Sequence, residues 1–193
     1  MSRKKFEFKP DYDGVDLSNK FYVTPRQRKS LLRWTLYSVC CVAALILQDS
    51  MLAKLRIFGA VIDLAPCAML LICVLEGAEK GGVFTLCASV FFVLSGTAPG
   101  SYCVALLTLA GVLTALLREN FLRRSFSSTW LCAGLACVLY EMSVFAMGVF
   151  YEETYSGRWS VFLLTGLLGA LAVPVLTPLM ERIGKIGGET WKE

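Results

Sequence analysis

The 193-residue chain is 56% hydrophobic and only 18% charged, with a formal net charge of +4 and a mean hydropathy of +0.61. A soluble domain carries about 25% charged residues, spaced to give each surface helix a polar outer face, and no such spacing exists between Leu36 and Met180. The composition therefore excludes an ordinary water-soluble fold, and the small, scattered positive charge excludes a nucleic-acid-binding one.

Residues 1–30 read as a basic, disordered cytosolic tail, polar and without helical period. The first apolar run starts too late to be the core of a secretory leader. Phe6, Phe8, Tyr12, Phe21 and Tyr22 give the tail either an ordinary spacer role or a docking surface for a cytosolic partner. Arg26, Arg28, Lys29 and Arg33 lie just before the first apolar block. They either fix topology or contact anionic lipid headgroups, which attract each such charge by about 1 kcal/mol.

A helix rises 1.5 Å per residue, so a hydrocarbon core of ~30 Å needs about 20 apolar residues. Six blocks between residues 31 and 180 approach that length: Leu31–Gln48, Leu64–Leu75, Gly81–Leu94, Ser101–Leu117, Thr129–Tyr151 and Trp159–Met180. Asp63, with Pro66 three residues later, reads as the N-cap of the second helix. Ser95–Gly100 is rich in turn formers and suits a tight antiparallel hairpin. Sixteen of the nineteen lysines and arginines fall in the tails and in the loops after blocks two and four; only Lys54, Arg56 and Arg158 fall in the others. Because lysine and arginine mark cytoplasmic segments, the expectation is an all-α integral membrane protein with about six transmembrane helices. Both ends would be cytoplasmic, with a C-terminal tail over 181–193.

The eight cysteines lie inside apolar blocks without C-x-x-C spacing, and the chain has no histidine. They read as small buried hydrophobes. No zinc set and no Ser–His or Cys–His pair can be assembled, so no cofactor and no enzymatic activity are expected. Glu152-Glu153 reads as part of an outer loop.

Glu141 stands near the middle of the fifth block. An acid at such a depth costs roughly 2.5–3.5 kcal/mol, whereas each leucine, valine or phenylalanine returns only ~0.3–0.6. Glu141 therefore needs a partner, either for a function or to fix packing. Its helical neighbours Gly134, Cys137 and Gly148 are small, a face suited to close helix contact. Gly166 and Ala170, with Pro174 and Pro178, make a second small, kinked face in the sixth block.

One pattern spans roughly residues 40–117. Leu47-Gln48 closes the first helix, Leu55, Ile57 and Gly59 follow, and Pro66 opens a leucine-rich helix. Gly81-Gly82, Gly96, Gly100 and Gly111 then punctuate a helical hairpin. This resembles MreD, the small membrane subunit of the bacterial rod-shape machinery, as does the closing Leu176-Thr-Pro-Leu-Met-Glu-Arg182. The sequence departs from that family in placing Asp63 before Pro66 and in carrying Phe92 near the usual site of a third-helix aspartate.

The resemblance implies a bacterial plasma-membrane scaffold without catalysis, with a fold similar to the S components of energy-coupling-factor transporters. Its partners would be MreC, a SEDS glycosyltransferase, a class B penicillin-binding transpeptidase and, on the cytosolic side, MreB. The alternative is a vitamin-binding S component itself, although the first block lacks the alanines four apart usual in that class.

Overall fold

The computed structural model describes residues 25–122 and 125–186. These form helices α1 (Pro25–Ser50), α2 (Leu64–Glu76), α3 (Ala78–Leu94), α4 (Cys103–Phe121), α5 (Phe126–Phe150) and α6 (Trp159–Gly184). Single 3-10 turns occur at Leu52–Lys54 and Ser156–Arg158, and there is no strand among the described residues. Each apolar block is a helix. The expected tail aromatics Phe6 to Tyr22 and the last residues of the C-terminal tail lie outside the described residues.

Two expected boundaries move. Helix α1 begins at Pro25 rather than 31, because proline at the first helical position needs no N–H partner and the following Arg and Lys residues are good helix formers. Helix α6 runs past Met180 to Gly184.

Four helices, α1, α4, α5 and α6, are long and apolar enough to cross a membrane, a set that fits a multi-pass membrane protein. Their lipid-type faces are continuous rows of exposed apolar side chains, such as Val39, Val42 and Ile46 on α1 and Leu167, Leu171 and Val175 on α6.

Helix α2 is different. Its 13 residues rise only about 20 Å, and every side chain from Ala65 to Val74 is buried. It packs against all five other helices, as a helix that is apolar all round must. Both of its ends are closed by side chains from elsewhere. At the start, Gln48 of α1 accepts from the Ala65 N–H at 2.9 Å. At the finish, the buried Arg118 of α4 donates to the Val74 carbonyl, supplying a donor to one of the carbonyls every helix end leaves open. Gly77, at φ 92°, turns the chain directly into α3. Glu119 then accepts from the Ala78 N–H at 3.1 Å.

The bundle has two ends. At the near end, where α1 begins and α6 finishes, Arg33 meets Glu76 at 3.3 Å. There the Tyr37 hydroxyl donates to Glu76 at 2.9 Å. At the far end the loops 51–63, 95–102 and 151–158 gather, with the rings of Tyr102 and Tyr151 stacked 5.9 Å apart.

The small faces of α5 and α6 are spent on each other. A Cβ on Gly166 would come within 2.9 Å of the Val138 backbone, and one on Gly134 within 3.2 Å of Ala170. The close helix contact expected of these faces is found within the bundle: Gly134, Cys137, Gly166 and Ala170 pack between α5 and α6, and Gly148 packs on Thr154 of its own loop. Pro174 cannot donate to Ala170, four residues earlier. The indole N–H of Trp130 replaces it at 3.0 Å, which satisfies a carbonyl that would otherwise face an apolar medium.

Candidate functional site

The far end encloses a cavity of about 230 Å³. Each wall comes from a different part of the chain. Gln48 closes α1, Asp63 precedes α2, and Phe92 ends the buried face of α3. Thr97 and Pro99 lie in the α3–α4 turn, Tyr140, Glu141 and Val144 on α5, and Phe162 and Thr165 on α6.

Asp63 occupies the N-cap position of α2 as expected, yet its side chain makes no capping bond. Gln48 does that work instead: its carbonyl oxygen takes the Ala65 N–H, while its amide donates to the Asp63 carboxyl at 3.3 Å. Released from capping, the Asp63 carboxyl faces the same cavity as that of Glu141, close enough for the two to interact. The expected partner of Glu141 is thus a second carboxyl, rather than a hydroxyl or carbonyl. Two carboxyls can bond to each other only through a proton that one of them keeps.

Glu141 is buried and Asp63 is half-buried. Beneath them the Cys67 and Cys137 thiols touch at 3.4 Å, with Gly169 packed against Cys67. The Tyr140 phenol lies beside the Cys103 thiol. These contacts tie α2, α4, α5 and α6 together directly under the cavity floor.

Glu141→Gln is expected to be tolerated, because an amide can still bond to Asp63. Glu141→Leu should cost about 1–3 kcal/mol by leaving that carboxyl without its partner. Denaturation in mixed micelles reads the difference; equal stability of the two variants would show that the carboxyl contact carries no weight.

The basic cluster before α1 does not act as one group. Arg28 and Lys29 are exposed. Arg33, one of the four considered for either topology or lipid contact, is buried against Glu76 and lies over the Trp34 ring at 5.4 Å. Its position one turn further along α1 rotates it onto the stripe Tyr37, Cys41, Ala44 and Gln48 that faces α2. Arg26 lies within α1.

Six of the eight cysteines are buried, Cys40 is half-buried and Cys87 is exposed, all as free thiols. No cluster of three or more metal-binding side chains occurs among the described residues.

Sequence reasoning did not assign Thr97, Tyr140 or Thr165 to a site. Gln48 carries a signal, as an amide closing an apolar helix, and Phe92 stands out only through the resemblance drawn from the sequence. Comparison with protein-family models, with curated proteins and with solved structures yields no match to this chain.

Proposed function

We propose that this chain is a non-catalytic subunit of the bacterial plasma membrane that organises partner proteins. In this reading α2 and α3 complete six crossings with both chain ends in the cytoplasm. The lysine and arginine split supports that orientation.

The observation that carries the proposal is an apolar groove between α1 and α3. The two helices touch near the Trp34 and Phe84 rings, 5.5 Å apart. Beyond that contact a space of about 370 Å³ opens, walled by Cys41, Val42 and Leu45 on one side and Cys87, Ala88 and Phe91 on the other, with Met69 of α2 as its floor. Small and apolar walls suit a transmembrane helix of a partner, where association depends on close packing rather than on a hydrophobic drive.

The likeness to MreD points to MreC as that partner, with the SEDS glycosyltransferase, the class B transpeptidase and MreB in the wider assembly. The glycines that carry the likeness are used for packing: Gly81 and Gly111 both press on Cys73 of α2. Filling the groove by Ala88→Trp should abolish co-purification of wall-synthesis proteins in mild detergent and make rod-shaped cells widen or round. Retained partners and normal shape in a folded Ala88→Trp protein would remove the scaffold reading.

One observation favours a second reading, as a substrate-binding S component: the polar cavity sits under the far-end loops, where a transported ligand would enter. Co-purification of transporter ATPases, with loss of one vitamin's uptake on depletion, would decide for it.

A further inference from the structure

We propose that the far-end cavity is a binding site for a small organic cation, a primary ammonium on a short apolar stem, held between the Asp63 and Glu141 carboxyls. The inference is independent of which proteins the subunit organises.

The two acids are not the only polar groups there. Thr165 is 8% exposed and forms part of the same wall. Other helical threonines here, among them Thr108, Thr114 and Thr177, donate to the carbonyl four residues earlier at 2.7 Å. Thr165 makes no such bond and has no hydrogen-bond partner among the described residues. Lining the cavity without a protein partner, this hydroxyl is available to whatever enters.

The charge and shape select the occupant. No lysine or arginine lines the cavity, so nothing in its wall balances the carboxyls. Two carboxyls sharing one cavity repel each other when both are ionised, so the pair favours a single negative charge, which one monovalent cation neutralises. An ammonium group brings three donors and no acceptor, matched to the oxygens of Asp63, Glu141 and Thr165. Phe92, Val144 and Phe162 line the remaining wall. They offer apolar contact for a stem and ring faces that attract a cation. At about 30 Å³ per water, a space of about 230 Å³ admits a few carbons with their ammonium and rejects a peptide.

The test uses the full chain in lipid nanodiscs and dicyclohexylcarbodiimide, which attacks protonated carboxyls shielded from water. Adduct formation at Glu141 is followed by mass spectrometry. Butylammonium at millimolar concentration should slow the adduct at least tenfold, while butanol and magnesium ions leave the rate unchanged. Asp63→Asn should raise the butylammonium concentration needed for protection at least tenfold, and Thr165→Val several-fold while leaving both acids in place. Equal protection by butanol, protection by magnesium, or no protection by butylammonium of the unmodified chain would overturn the proposal. So would undiminished protection in a folded Asp63→Asn protein.

Discussion

Glu76→Ala is expected to destabilise the protein by about 3–5 kcal/mol, the cost of breaking a buried ion pair from one side. The Glu76 side chain is 1% exposed and that of Arg33 7% exposed, with 3.3 Å between them. Removing the carboxylate leaves the guanidinium inside the bundle, over the Trp34 ring, without its ion-pair partner. It also takes the acceptor from the Tyr37 hydroxyl, whose other contact is the Met180 carbonyl at 3.4 Å. Three helices, α1, α2 and α6, meet at that point, so the loss spreads beyond the pair. The double variant Arg33→Met, Glu76→Leu removes both charges and should recover most of the stability, since apolar groups of similar volume often replace a buried pair without loss. Unfolding in mixed micelles measures both. A Glu76→Ala protein within about 1 kcal/mol of the unmodified chain, the range of exposed pairs, would mean that water reaches the pair.

The second large effect is steric. A methyl group at Gly81 would lie 2.6 Å from the carbonyl oxygen of Cys73 and 2.7 Å from its Cα. Those are backbone atoms of the central helix and cannot rotate away, so α3 must separate from α2. Overpacking of a tight core costs typically 1–3 kcal/mol, and occasionally more. Gly81→Ala is placed at the upper end and Gly81→Leu beyond it. Gly82 provides the control. Its added methyl would meet only Cγ2 of Val112, at 2.8 Å, a side-chain atom that can move. Gly82→Ala should therefore cost clearly less than Gly81→Ala when the two are unfolded side by side. The reverse order would show that the α2–α3 contact is looser than its geometry.

The candidate site was legible in its parts. Glu141 announced itself because an acid inside an apolar helix is too costly to leave alone, and its small neighbours marked the side on which help would come. The identity of that help was not legible. Asp63 looked like a helix cap, which is what an aspartate three residues before a proline does when nothing competes. Gln48, reaching over from α1, competes and wins. Nothing local to Asp63 records that amide, so only its position in space reassigns the carboxyl.

The sequence by itself determined the six helical blocks, the low polarity of their surfaces and the segregation of basic residues toward one set of loops. These follow from composition over windows of about 20 residues and survive any arrangement of the helices. Tertiary structure alone decided that α2 is a short central helix rather than one more peripheral span, that Arg33 is buried while Arg28 and Lys29 are exposed, and that the small faces of α5 and α6 serve each other. The physical reason is that lipid tails are as apolar as a leucine side chain. An apolar residue gains the same release from water whether it meets lipid or protein. Hydropathy therefore cannot distinguish the two, and packing geometry must.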